Sequence, residues 1–346
     1  MNKHRGFTLI ELLVALALGL VITAAATMLF MTGYRSYALQ QSLSSLQDDA
    51  NFGLNAIVKD IRLGNLNTGS SYLNERTLYG GVIFTSAENA DVDAATSTTP
   101  EIFYSNLPPS IRGNFVKPIF LSQAHGDDVG AGNGWTGASN VVDFDSDQLV
   151  IQYKPQYIIN DKGTSVETDD TWFGGYDCEG ARLEFPKANG QQIIVQRYFL
   201  RKDDNTDTNE PHEPLALACD AGYYSATGTP IAITNFGDKG QILLKRVDHF
   251  RVLYGVQNGN AFQYMGAHEY MELTAPKPRI LSVQLGVLSR SVQPTGNDQL
   301  FKDDQTFTLL DQSLTLDTPT AGSSKYVRQA VTQTVALRNA FGERGQ

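Results

Sequence analysis

The sequence predicts an α+β fold: one long N-terminal helix packed against an antiparallel β-sheet with large loops. Three observations carry this reading. Residues 12–34 form 23 consecutive uncharged positions rich in Leu, Ala, Val and Ile. Directly after them, apolar residues recur at helical spacing as far as Ile61. From Asn65 onward the pattern changes to short apolar runs with period-two alternation, punctuated by Gly, Asn and Asp, which is strand patterning.

The helix is argued first. Its apolar run, residues 12–31, is 20 residues long, enough to cross a hydrocarbon core about 30 Å thick. Ahead of it, residues 1–6 carry Lys3 and Arg5, a basic flank of the kind that stays on the cytoplasmic side. Beyond it, Leu39, Leu43, Leu46, Ala50, Leu54, Ile57 and Ile61 follow steps of three and four, with polar residues such as Gln40, Ser44, Asp48, Asn55, Lys59 and Asp60 between them. That is one face of a 3.6-residue period. The first proline is Pro100, so nothing forces a kink, although Gly19, Gly33 and Gly53 are soft points. Gly64 and the polar stretch up to Ser71 supply a stop. One helix from about Phe7 to Leu63 is expected, roughly 85 Å long, membrane-spanning at first and amphipathic later.

Strands are expected at 81–85, 102–104, 148–153, 192–201, 241–256, 279–290 and 329–338. In the last run Val331, Gln333, Val335 and Leu337 share a face. No second helical period of comparable strength occurs. Residues 86–147, including "HGDDVGAGNGWTGASN", read as a loop-rich insertion. The chain thus divides into a leader (1–6), a helix (7–64) and a globular β-rich part (65–346).

Composition narrows the function. The balance of 27 Lys+Arg against 37 Asp+Glu gives a net charge of −10, the wrong sign for a phosphate-binding surface, so nucleic acid is not expected as a partner. The five histidines, at 4, 125, 212, 249 and 268, show no metal-ligand spacing. There is no nucleophile elbow, Walker loop or dinucleotide fingerprint. No catalytic residue, metal site or cofactor is expected, and His249 beside Asp248 reads as a packed or edge residue. "DDNTDTNE", residues 203–210, spaces its oxygens like the start of a calcium loop. Thr208 stands where that loop needs Gly, and Pro214 where it needs Glu, so a solvated hairpin tip is expected. "DFDSD", residues 143–147, reads as a solvent-facing acidic edge. Cys178 and Cys219 have no zinc-type context. They form one disulfide in an exported chain and two buried thiols in a cytosolic one.

The N-terminus decides that question. The leader ending in Gly6, followed by "FTLIELLVALAL", resembles the class III signal of type IV pilins and type II secretion pseudopilins. The resemblance implies cleavage by a prepilin peptidase between Gly6 and Phe7, N-methylation of Phe7, and a single-pass inner-membrane anchor with the globular part in the periplasm. A rival is an ordinary signal peptide cut after Ala26, which would release a periplasmic enzyme or binding protein starting at Thr27. Glu11 inside the apolar region, and a helical pattern that runs past Ala26, count against it. Export makes the Cys178–Cys219 disulfide the expected state.

The second half carries a further resemblance. "GGYDCEGARLEF", "IIVQRYFLRK", "PLALACDAG", "LLKRVDHFRVLYGV", "RILSVQLGVLSRS" and "KYVRQAVTQTVALRNA" resemble, in order, the PilW family of minor pilins. Arg328 stands where that family usually shows more than one arginine. The family is the counterpart of the J-type minor pseudopilin of type II secretion, which is the alternative assignment. The resemblance implies a type IV pilin-like fold and a minor pilin that primes pilus assembly with other minor pilins and the major pilin. It also implies a place in a tip complex at the cell surface that presents an adhesin.

Glu11 remains to be explained. An ionised side chain inside a spanning helix costs about 2.5–3.5 kcal/mol even on lenient insertion scales. Cleavage would create a positive amine on Phe7, and Glu11 of one subunit could pair with the Phe7 amine of a neighbour as an assembly charge pair.

Overall fold

The computed structural model describes residues 6–68, 70, 73–87, 105–113, 116–125, 135–163, 169–206, 210–227, 229–230, 232–292, 294, 305–319 and 326–337. The expected strand at 102–104 lies outside the described residues.

Helix α1 runs Leu9–Ile61 without interruption. Its first half stands clear of everything else, and its second half lies on the body. Burial begins at Leu46 and continues through Ala50, Leu54, Ile57, Val58 and Ile61, the face that the three-and-four spacing marks. Leu39 and Leu43, on the same line, are half-buried where the helix leaves the body.

The strands form two main antiparallel sheets rather than the single one expected. The first joins β1 (Gly81–Val82), β2 (Leu149–Tyr153), β6 (Gln192–Lys202), β7 (Leu215–Ser225) and β8 (Gln241–Lys245) in the order β1-β2-β6-β7-β8. The second joins β9 (Val247–Asn258), β10 (Ala261–Met265), β11 (Arg279–Arg290) and β14 (Arg328–Ala336) in the order β10-β9-β11-β14. A three-stranded sheet of β3 (Ile158–Asn160), β4 (Thr171–Tyr176) and β5 (Arg182–Pro186) sits beside the first. The hairpin β12 (Thr306–Leu309) and β13 (Gln312–Thr315) caps the second, Leu309 lying over Gly286 of β11. A short helix α2 (Ala267–Glu272) links β10 to β11.

The expected strand at 241–256 is therefore two strands in different sheets. Arg246 divides them with φ 58°, a left-handed conformation that non-glycine residues rarely adopt. The break redirects the chain from one sheet to the other. Helix α1 bridges the two sheets: Gly53 meets Leu243 and Leu244 of β8, and Gln333 of β14 donates to Asn55 at 2.9 Å. Leu54, Ile57 and Ile61 join Leu217, Leu244, Phe250, Val283 and Leu285 in one core. Each such side chain contributes about 2 kcal/mol by leaving water. Cys178 in the β4–β5 turn is joined to Cys219 of β7 by a disulfide, with Cα atoms 6.1 Å apart. It ties the small sheet to the first sheet.

Within the region expected as a loop-rich insertion, residues 135–147 run along β9. Asn140 N donates to Asp248 O and Asp147 N to Phe250 O, each at 2.8 Å.

Candidate functional site

The exposed half of α1 is the surface this fold does not use internally. Its start is built from four residues. Gly6 has open space around it, and Phe7 is 89% exposed. Thr8 is the N-cap, with extended backbone (φ −77°, ψ 151°). Its hydroxyl accepts from Glu11 N at 3.3 Å, while Glu11 Oε2 accepts from Thr8 N and from Thr8 Oγ1, both at 2.9 Å. This reciprocal capping box satisfies donors that a helix start leaves orphaned. It also sets a carboxylate at the positive end of the helix dipole. Reading Glu11 as an isolated charge overlooks this role, although Thr-x-x-Glu is its sequence signature.

Beyond the cap, apolar side chains from Leu9 to Met31 face outward all round the helix. Among the described residues α1 is the one helix long and apolar enough to cross a membrane. Its hydroxyls are served internally: Thr23 donates to Gly19 O at 2.7 Å, Thr27 to Thr23 O at 2.8 Å and Thr32 to Met28 O at 2.9 Å. A hydrocarbon environment demands such pairing, because it offers no other partner. Tyr34 and Tyr37, both exposed, flank Arg35, the first charge after Glu11.

The docked half of α1 is held close by Gly53. A Cβ there would lie 2.9 Å from Leu244 Cβ and 3.5 Å from Leu243 O, so the glycine permits close approach of helix and strand and is not a soft point.

The body beneath is locked by a buried ionic network that the sequence does not announce. Arg246 bonds Asp203 at 2.8 Å and Glu210 at 2.7 Å. Glu210 also pairs with Arg290. Arg290 Nε lies 3.8 Å from Asp248 Oδ1, and Arg328 Nε lies 2.7 Å from Asp248 Oδ2. Arg328 further contacts His212 at 3.1 Å, and Asn140 donates to Asp248 at 2.8 Å. Burial pushes the Asp248 carboxyl up, but Arg328 and Arg290 outweigh it and hold it below the ordinary range.

Two expectations are corrected here. Asp203 and Glu210 are buried anchors for Arg246 rather than parts of a solvated tip; Asp207 and Asn209 lie outside the described residues. In the 143–147 stretch Asp143 is exposed, but Asp147 is buried and pairs with Arg251 at 3.2 Å. In both cases the partner is distant in sequence, so local patterning could not reveal it.

His249 is a packed residue: its ring contacts Gln312 at 2.9 Å and Ser139 at 3.0 Å, and burial pushes its pKa down to about 4. Among the described residues no group of three or more His, Cys, Asp or Glu could hold a metal ion.

Comparison with known proteins gives two family matches. The type IV pilus-assembly protein W (PilW) profile matches residues 198–339, and the prokaryotic N-terminal methylation motif matches residues 1–27. No curated protein matches the chain. Among solved structures, a type IV-like pilin from Thermus thermophilus is similar at 17% identity and a TM-score of 0.24, over 60% of this chain and 85% of that one. The PilW region spans Arg246 between β8 and β9 and the strands that carry Asp248, Arg290 and Arg328, and the methylation motif spans the capped start of α1. The chain is thus similar to the PilW family over residues 198–339 and to the N-terminal methylation motif of pilin-like proteins over residues 1–27, in that order along the chain.

Proposed function

We propose that this chain is a minor pilin of a type IV pilus. A prepilin peptidase cleaves it between Gly6 and Phe7 and Phe7 is N-methylated. The apolar half of α1 anchors the chain once in the inner membrane, with the globular part in the periplasm. With other minor pilins and the major pilin it then primes pilus assembly, takes a place in the tip complex at the cell surface and helps present an adhesin. The observation that carries the reading is a capped helix with an exposed apolar shaft and one carboxylate, Glu11, at its start.

The capping box sharpens the assembly role. In a free subunit Glu11 has a partner in its own chain, Thr8, which explains how the charge is tolerated. Processing would place a positive amine on Phe7, next to Thr8, and stacking helices with an axial offset would bring Glu11 of one subunit to the Phe7 amine of its neighbour.

Two substitutions separate capping from charge. Glu11→Gln keeps a capping-box side chain and removes the charge, whereas Glu11→Ala removes both. Both variants are expected to be inserted and cleaved, and both to be depleted from sheared pili with impaired initiation. Wild-type piliation by Glu11→Ala refutes a role for the residue. Piliation by Glu11→Gln with loss in Glu11→Ala leaves capping as its only role.

A further inference from the structure

Of the buried residues of α1, Asp60 alone is charged, and it is 7% exposed. Its Oδ2 lies 2.8 Å from Tyr198 Oη on β6, and Tyr198 Oη lies 3.0 Å from Gln196 Oε1. Gln196 Nε2 in turn donates to Tyr153 Oη on β2 at 3.3 Å. Tyr198, Gln196 and Tyr153 are all buried. This chain of four side chains joins the last turn of the assembly helix to the centre of the first sheet.

Its protons can be counted. Tyr198 has one hydroxyl proton and two acceptor oxygens facing it. With the Gln196 amide oriented as in the structure, an ionised Asp60 takes that proton and leaves Gln196 Oε1 without a donor in the core, at a cost of about 1–3 kcal/mol. If Asp60 carries a proton, Asp60 donates to Tyr198, Tyr198 to Gln196 and Gln196 to Tyr153, and each oxygen is served. A half-turn of the Gln196 amide gives the reverse chain: Tyr153 donates to Gln196, Gln196 to Tyr198 and Tyr198 to an ionised Asp60. The same four side chains therefore have two complete arrangements that differ by one proton and one amide rotation.

We propose that Asp60 is a protonation-dependent latch between the end of α1 and the first sheet, tightened by proton uptake and loosened by proton release. The proton is exchanged with water, and no other bond forms or breaks. This inference does not depend on the pilin assignment.

The surroundings fix its direction. Burial raises the Asp60 carboxyl from 3.8 to about 6. The Tyr198 hydrogen bond and the neighbouring Lys59 work against that rise, and Asp177, in the turn after β4, adds to it. Because the folded pKa lies above the unfolded one, the stability Asp60 contributes is complete below about 3.8 and is lost as pH rises through about 6.

The test is urea unfolding of the full chain in detergent micelles at pH 4.5 and pH 8, for wild type and Asp60→Asn. Between these pH values the wild type should lose roughly 30-fold more in its folding equilibrium constant than the variant does. Infrared spectra at pH 5 should show a protonated carboxyl band that Asp60→Asn lacks. Tyr198→Phe, which removes a donor to the charged form, should move the titration of that band to higher pH. Equal pH dependence of wild type and Asp60→Asn within threefold, or a fully ionised Asp60 at pH 5, overturns the proposal. Should Asp60→Asn not fold, the band decides: failure to move between wild type and Tyr198→Phe is equally fatal.

Discussion

Arg328→Met tests whether the buried ionic network holds the C-terminal strand in place. Arg328 opens β14, and its guanidinium meets an Asp248 that is 1% exposed. Removing it leaves Asp248 with Asn140 at 2.8 Å and Arg290 at 3.8 Å. Losing one member of a buried pair costs about 3–5 kcal/mol, and because these two contacts survive the lower end applies, about 3 kcal/mol at pH 8. The sign of its pH dependence follows from the carboxyl. In the wild type Asp248 is held below its ordinary range, so its stabilising contribution is present above the unfolded pKa and is lost only as pH falls below it. Without Arg328 burial dominates, the carboxyl rises, and protonation relieves the penalty. The loss should therefore shrink to about 1–2 kcal/mol at pH 4.5. Urea unfolding in micelles, followed by the fluorescence of Trp135 and Trp172, measures both values. A loss below about 1 kcal/mol at pH 8, or a penalty that grows on acidification, refutes the reasoning.

Two further perturbations follow from the same geometry. Non-reducing peptide mapping should show Cys178 linked to Cys219. Replacing both by Ser should cost about 4 kcal/mol, the chain-entropy value for closing a loop of this length, and two alkylatable thiols in the native protein would contradict the link. Gly53→Ala should destabilise the full chain by about 1–2 kcal/mol although alanine is the better helix former, because its Cβ would press on Leu244; a net stabilisation measured by thermal unfolding would show that the helix and β8 are not so closely packed.

Much of this architecture is legible in the sequence, and the exceptions have physical causes. The face through Leu46, Ala50, Leu54, Ile57 and Ile61 is readable because one side of a helix meets the core and the other meets water. The runs at 192–201 and 279–290 are readable as strands because their length and β-branched content leave few alternatives. Strands β3, β4, β5, β7, β10, β12 and β13 go unmarked. β7, "LALACDAGYYS", is covered on both faces and so shows no alternation, while β4 contains Gly174 and Gly175, which read as loop. The division of 241–256 rests on the backbone of Arg246, a residue whose identity signals no turn. At the site, Glu11 is visible as an anomaly and the spacing to Thr8 could have shown how it is held. Asp60 gives no signal, because a helical Asp beside Lys59 looks like an ordinary solvent-facing residue. Only the approach of Tyr198, remote in sequence, buries it.

The central claim is that the capped, apolar start of α1 is a processed pilin N-terminus. Intact-mass and N-terminal peptide mass spectrometry of the chain recovered from membranes tests it most directly. The account predicts a chain that has lost residues 1–6 and begins with Phe7 carrying one added methyl group. A chain that begins at Thr27, or one that retains its leader in a cell with active prepilin peptidase, contradicts it.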